Sequence, residues 1–243
     1  MGRRIVLTVL ALMALALGAL AWRFREELRA LQTARQYSAG ELQEQLNGTD
    51  QTIRDAVDAS SDITVRAPTD EEKQALRDGI LTQDELVGRL TGGEQSDAPA
   101  SKPDVAKAPE KEESSSAETA REQEKYQQKL SELIAKVYVL REEYTNALED
   151  METAAKADYY ALPDGQRSVS KLAPLVSSYL AKATALEKEC DGKMDEVIAE
   201  MERLIKENNG DMSLTDTVFN TYVKEKSIKK AWYLSRLKEK GLV

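Results

Sequence analysis

Cys190 is the only cysteine among 243 residues, and the chain contains no histidine. A nucleophilic cysteine generally needs a neighbouring base, so Cys190 is predicted to be a small buried apolar residue rather than a reactive thiol. The missing histidine also excludes serine triads and histidine-ligated zinc, while one cysteine cannot build a thiolate zinc cluster or an iron–sulfur site. The sequence therefore predicts no catalytic residue and no metal site.

Carboxylates are the remaining candidates for acid–base chemistry, because 43 residues are Asp or Glu. A glycosidase needs two carboxylates held across a deep cleft, and the thin helical arms described below provide none. The phosphate-binding patterns G-x-x-x-x-G-K-[ST] and G-x-G-x-x-G are absent. We therefore expect that the protein is not an enzyme, and that it takes no cofactor and no small-molecule substrate.

The candidate interaction residues lie near the C-terminus. Residues 211–243 hold seven bases and four acids, a net charge of +3. The whole chain carries a net charge of −9, and this negative charge argues against nucleic-acid binding by the whole chain. A basic helix with aromatic residues could dock on an anionic surface such as lipid or a cell-wall polymer. The alternative is a third helix that packs its apolar face on the hairpin, with its lysines complementing the helix dipole and the acidic arms. The candidates are Lys224, Lys226, Lys229, Lys230, Trp232, Tyr233 and Arg236.

An all-α fold is predicted for the chain that positions these residues. Aromatic residues make up 5% of the chain, and 12 Gly and 6 Pro are too few for the frequent turns of a sandwich or barrel. Large aliphatic residues instead recur at helical spacing.

A basic head, residues 1–4, precedes an uncharged apolar run, residues 5–22. As a helix, this run would span about 27 Å, close to the thickness of a bilayer's hydrocarbon core. We predict a transmembrane helix retained as a signal anchor, with Trp22 and Phe24 at the interface. The alternative is a signal peptide cleaved after Ala19-Leu20-Ala21. Arginines on both flanks leave the orientation open, but the basic start favours a single-pass protein of the cell membrane with its body outside the cytoplasm.

Two apolar seams with heptad spacing predict an antiparallel coiled-coil hairpin over residues 120–210. The turn sequence Leu162-Pro163-Asp164-Gly165 separates the seams and is expected to reverse the chain. Pro174 must then lie in the first turn of a helix that opens near Ser170, or kink that helix. The first seam is Tyr126, Leu130, Leu133, Val137, Leu140, Tyr144, Ala147, Met151 and Ala154; the second is Leu172, Val176, Tyr179, Ala183, Leu186, Cys190, Met194, Val197, Met201 and Leu204.

A flexible linker is predicted over residues 94–119, where Val105 is the only large aliphatic residue and three prolines occur. It would separate the hairpin from a membrane-proximal region of short helices, residues 23–93. In that region Ser38 with Glu41 predicts a helix start, and Asn47-Gly48 predicts a helix end. Residues 63–65 are expected to be extended.

A helix-turn-helix is predicted at residues 69–91, with starts at Thr69 and Thr82 and a stop at Gly79. Its core, Leu76-Arg77-Asp78-Gly79-Ile80-Leu81-Thr82 followed by Glu85-Leu86, resembles the SHOCT family of short two-helix modules found in many bacterial proteins. The match departs from the family at Arg89 and Leu90 and in not being C-terminal. The resemblance implies a small docking or oligomerisation element; a plain αα-hairpin is the alternative.

Two functions follow from these features. The first is a membrane-anchored helical scaffold or adaptor that binds a protein partner, or a second copy of itself, through the hairpin, in bacterial envelope or division processes. The second is a secreted or surface-held module whose basic C-terminal helix is the binding site and whose hairpin is a spacer.

Overall fold

The computed structural model of the chain describes residues 32–33, 36–60, 63–92, 114–163 and 169–239. In these ranges the protein is all-α, as predicted, and no residue is in a strand. None of the described helices is apolar over a length sufficient to span a membrane. The predicted transmembrane segment, residues 5–22, lies outside the described ranges and stays a prediction. The helices are α1 (Ala39–Asp58), α2 (Asp70–Arg77), α3 (Gln83–Leu90), α4 (Ser114–Ala161), α5 (Val169–Glu207) and α6 (Ser213–Glu239).

The chain forms two compact units, one of residues Arg54–Val218 and one that joins Met1–Ile53 to Phe219–Val243. The first unit contains α4 and α5, which pack along each other. Polar side-chain contacts between described residues of these helices occur in an order along α4 that is the reverse of their order along α5. They are Lys129 with Glu200 at 3.6 Å, Glu143 with Lys193 at 3.1 Å, and Asp158 with Tyr179 at 2.6 Å. The two arms are therefore antiparallel, as the seams predicted.

The predicted seams are buried in the middle of the hairpin. Cys190 is 6% exposed, which agrees with its predicted place on the seam. Further along α4 the burial fades, because Ala147 and Met151 are half-buried and Ala154 is exposed. The buried seam residues are Leu130, Leu133, Val137, Leu140 and Tyr144 in α4, and Cys190, Met194, Met201 and Leu204 in α5.

Helix α4 is also buried on the side that faces away from the seam. Ala135, Tyr138 and Val139 are not seam positions, yet each is at most 3% exposed. A two-helix hairpin would leave these residues in water. Helices α2 and α3 contact α4 and belong to the same compact unit. Residues 69–91 therefore pack on the hairpin. Most of the predicted linker, residues 94–113, lies outside the described ranges and stays a prediction, whereas its last part, from Ser114, belongs to α4.

Helix α1 begins as predicted but does not end where predicted. The Ser38 backbone N–H donates to the Glu41 carboxylate, and the Glu41 N–H donates to the Ser38 hydroxyl. The predicted stop at Asn47-Gly48 is wrong, because α1 continues to Asp58. Thr49 and Ile53 just beyond it are fully buried, and their packing outweighs the cost of about 1 kcal/mol for a glycine inside a helix.

The end of α4 and the beginning of α5 lie close to the positions that the sequence predicted. Helix α4 ends at Ala161 and α5 begins at Val169, so the chain reverses around the predicted turn, of which residues 164–168 lie outside the described ranges. Pro174 is the sixth residue of α5, so it lies inside the helix and just beyond the first turn, where the first of the two alternatives placed it. Between α5 and α6, Gly210 lies so close to the Tyr126 hydroxyl that an added Cβ would be 2.8 Å from that oxygen, so a larger residue there would require the Tyr126 side chain to shift.

Candidate functional site

The helix-turn-helix of residues 69–91 is built by local hydrogen bonds. Thr69 with Glu72 and Thr82 with Glu85 both form complete capping boxes, in which each side chain accepts the other residue's backbone N–H. The turn between α2 and α3 passes through Gly79 at φ +69°, a left-handed conformation that a glycine adopts without steric cost. Each signal that predicted this module is therefore present.

Arg66 connects the beginning of α2 with the end of α3. Its backbone N–H donates to the Leu90 carbonyl at 3.0 Å, and its guanidinium donates to both carboxylate oxygens of Glu72 at 2.6 and 2.7 Å. Glu72 also accepts the Thr69 N–H in the capping box. These bonds, above all those from Arg66, lower the pKa of Glu72 to about 2. The extended segment before α2 is thus tied to the end of α3.

Glu72→Gln is expected to lower the free energy of unfolding on the order of 1–2 kcal/mol at pH 7, since half-exposed Arg66 is screened by water. The folded pKa lies below the unfolded value of 4.5, so the contribution is complete above pH 4.5 and is lost as the pH falls towards 2. Urea unfolding at pH 7 and at pH 3 measures it. Glu85→Gln, at the same position of the exposed second box, is the control and should cost less. Equal losses for the two variants would contradict the special role of Arg66.

The apolar face of the module is already occupied within this chain. Leu81, Leu86 and Leu90 are buried, and the module contacts α4. Polar contacts surround this apolar contact: the Arg77 guanidinium with Glu149 and Asp150, the Lys73 ammonium with Glu142, and the Thr64 N–H with the Ser131 hydroxyl. If the module is a docking element, as the SHOCT-like sequence implies, its docking surface is α4 of the same chain.

The seven candidate residues of α6 share one helix but not one exposed surface. Lys224 is exposed, and the other six are half-buried. Trp232 packs against a cluster formed by Leu42 of α1 with Ile228 and Ala231 of α6. Four other candidates lie against neighbours in α6: Arg236 is above the Trp232 ring at 4.6 Å, Tyr233 is edge-on to that ring, Lys226 is above Tyr222 at 5.6 Å, and Lys229 is 3.4 Å from Glu225. Lys230 is half-buried.

This arrangement agrees with the alternative interpretation in that α6 is a packed helix, but that interpretation named the hairpin as the surface on which it packs. The surface on which its second half packs is α1, because Tyr37 and Leu46 join the same cluster with Leu42. The sequence did not indicate α1 as the partner, since the contact joins segments almost two hundred residues apart.

A second candidate surface, which the sequence did not indicate, lies at the free end of the hairpin. We call residues 153–163 and 174–185 the hairpin tip. Only three of these 23 residues are charged, namely Lys156, Asp158 and Lys182. Tyr160 is 68% exposed and Leu180 is 50% exposed, and small apolar residues around them are exposed as well: Ala154, Ala157, Ala181 and Ala185. The low charge density of this stretch was the signal that could have identified it.

The two arms of the hairpin tip are held together by a polar contact. The Tyr179 hydroxyl of α5 donates to the Asp158 carboxylate of α4 at 2.6 Å, and this bond raises the pKa of the Tyr179 hydroxyl. The Lys182 ammonium lies 4.4 Å above the Tyr179 ring. Tyr159 and Tyr160 stack edge to face at 5.2 Å. The tip thus presents its exposed side chains on two connected helices.

Comparisons with known proteins assign no family to these surfaces: no family model, curated protein or solved structure matches the chain. Among the described residues, no three His, Cys, Asp or Glu side chains are grouped so that they could hold a metal ion.

Proposed function

We propose that this protein is a single-pass, membrane-anchored helical scaffold that presents the hairpin tip to a protein partner, in assembly or division processes of a bacterial cell envelope. The observation that carries this proposal is the exposure of large apolar side chains at the tip, Tyr160 on α4 and Leu180 on α5. The anchor is the apolar run of residues 5–22, and we expect the body to lie outside the cytoplasm.

The tip has the composition of a protein-binding surface rather than of a solvated helix. Solvated faces of this chain are highly charged, as its overall 32% of charged residues requires. Contiguous exposed apolar surface on a soluble domain generally marks a contact site, and tyrosine is among the residues enriched where protein partners bind most strongly. Two long antiparallel helices connected at Tyr179 and Asp158 hold this surface away from the packed centre of the hairpin.

The packed centre supplies the rigidity that a scaffold needs. The buried outward side of α4, covered by α2 and α3, restricts the inner half of the hairpin, so the partner would meet a preformed surface. A catalytic role is not proposed, because neither histidine nor a second cysteine is available to activate a nucleophile.

Binding of an anionic surface by α6 is the second candidate function. The net charge of +3 over residues 211–243 and the exposed Lys224 favour it. Trp232, the residue best suited to insert at a lipid interface, instead packs against Leu42, Ile228 and Ala231. Partner binding by the hairpin tip is therefore the function we prefer.

Site-specific photo-crosslinking in intact cells tests the proposal. A photoreactive amino acid at Leu180, in the full chain, is expected to yield a discrete protein adduct after irradiation. The matched control is the same amino acid at Ala199, which is also exposed on α5 but lies in the inner half. No adduct at Leu180, or equal adducts at both positions, would contradict partner binding by the tip.

A further inference from the structure

The inner half of the hairpin and the hairpin tip differ in how well their side chains are buried. Buried residues of α4 extend as far as Leu148, and those of α5 begin at Cys190. Among the tip side chains that the structure describes, none is buried. Because the arms are antiparallel and Glu143 contacts Lys193, the two limits of the buried region lie at about the same level of the hairpin.

The same faces of the two arms are covered in the inner half and uncovered at the tip. Residues 18 positions apart are separated by five turns and share one face of an α-helix. On α4, Val139 is 2% exposed, whereas Ala157 on the same face is exposed. On α5, Ile198 is 7% exposed, whereas Leu180 on the same face is 50% exposed. Both arms therefore lose, at the tip, the packing on their outer faces.

The seam of the tip offers little apolar surface in exchange. Ala154 is exposed and Ala183 is half-buried, and burial of a methyl group stabilises far less than burial of a leucine. The contact between the arms that the structure shows here is polar, from the Tyr179 hydroxyl to the Asp158 carboxylate. Helices shorter than about 15 residues are marginal in water without tertiary packing. The arms of the tip are therefore much less stable than the inner half.

We infer that the hairpin tip is a separate opening unit: its arms part and lose helix while the inner half stays folded, and a bound partner holds the tip closed. The role of the partner rests on the proposed function. The closed tip predominates, and its exposed side chains are those that the partner would meet. Elements that bind other molecules are often those with a low free energy of local opening. A partner that binds only the closed tip lowers the population of the open one.

Native-state hydrogen exchange of the purified full chain in lipid vesicles tests the opening. Amides of residues 153–161 and 177–185 are expected to exchange at least about a hundredfold faster than those of residues 133–144 and 194–205. Low urea concentrations should change the tip rates little, because a small opening exposes little surface, and should accelerate exchange in the inner half more steeply. Equal rates with equal urea dependence in the two halves would overturn the inference.

Cys190 provides a second readout in the wild-type chain. It is the single cysteine, and it is the first buried residue of α5 beyond the tip. N-ethylmaleimide should reach its thiol when the arms part to that level. The labelling rate is therefore expected to depend on urea as weakly as the exchange of the tip amides does. A urea dependence equal to that of the inner amides would show that Cys190 opens only with the inner half, contrary to the inference.

Asp158→Ala removes the polar contact between the arms of the tip. Exchange of the tip amides and labelling of Cys190 are expected to become about three- to tenfold faster, because a hydrogen bond to a carboxylate is lost. Asp195→Ala, exposed on α5 in the inner half, is the matched control and should leave both rates unchanged. Alanine is the better helix former at both positions, so helix propensity does not explain a faster rate. Unchanged tip rates in Asp158→Ala would contradict parting of the arms.

Thiol labelling in intact cells tests whether a partner holds the tip closed. Wild-type Cys190 is expected to react about fivefold or more slowly than Cys190 in the Leu180→Asp variant, where a carboxylate on the tip opposes partner binding. Ala199→Asp is the control, because it places the same charge at a similar distance from Cys190, and it should behave as the wild type. In vesicles, where no partner is present, the three chains should react within about twofold of one another.

These experiments distinguish failure of the opening from failure of the proposed function. Equal exchange in the tip and the inner half would overturn the opening even if a photoreactive residue at Leu180 captures a protein in cells. If the tip opens in vesicles but the wild type and Leu180→Asp react equally in cells, no partner holds the tip closed. If Leu180 then also gives no adduct, the proposed function is wrong as well.

Discussion

Val139→Asp is expected to lower the free energy of unfolding by at least about 3 kcal/mol, because it places a carboxylate where no water reaches. Val139 is 2% exposed, although it lies two positions after the seam residue Val137 and would face solvent in an isolated hairpin. The large expected loss arises because helices α2 and α3 pack on α4. The change therefore separates a free hairpin from one that is covered by the helix-turn-helix.

Urea unfolding followed by circular dichroism measures this difference. Ala199→Asp introduces the same charge at an exposed position of α5 and should change the stability by less than about 0.5 kcal/mol. A result for Val139→Asp that is as small as that of the control would show that the outward side of α4 is open to water. The arrangement of α2 and α3 described above would then be wrong.

Ile228→Asp should weaken the packing of α6 on α1 by at least about 3 kcal/mol, since it removes a buried side chain and buries a charge. Ile228 is 5% exposed and forms one cluster with Leu42 and Ala231, which are fully buried. The expected readout is hydrogen exchange of the α1 amides, which should become about a hundredfold faster if local opening limits exchange. Lower helicity of the whole chain is not required for this result.

Asn220→Asp is the matched control, because it introduces one negative charge at an exposed position of the same helix. Amide exchange in α1 should stay within about threefold of the wild-type rate in that variant. If Ile228→Asp leaves α1 equally protected, the cluster does not hold the two helices together. Trp232 would then be available for the lipid-binding function that we consider second.

Features that depend on residues close in sequence were predictable. The capping pairs Ser38–Glu41, Thr69–Glu72 and Thr82–Glu85 all form, because each involves two side chains three residues apart. The two seams were predictable for a similar reason, since heptad spacing reports one helix face directly. The first is buried from Leu130 to Tyr144, and the second from Cys190 to Leu204 except at half-buried Val197.

The covered side of α4 had a local signal that the heptad pattern obscured. The run Ile134-Ala135-Lys136-Val137-Tyr138-Val139-Leu140 is apolar at six of seven positions, and a helix that is apolar all round is buried all round. The sequence did not indicate which helices would cover it. That outcome depends on Leu81 in the turn and on Leu86 and Leu90 of α3, which the two short helices cannot bury without a further surface.

The order of residues along this chain was enough to specify the helical class, most of the helix ends, the hairpin and its antiparallel arms, because propensity, capping and periodicity act within a few turns. The roles of its surfaces depended on packing between distant segments. Trp232 is engaged with α1, the helix-turn-helix covers α4, and Tyr160 and Leu180 remain exposed. An apolar side chain has the same chemistry in each of these places, and only the neighbours brought to it by the fold determine whether it stabilises the protein or is left to bind another molecule.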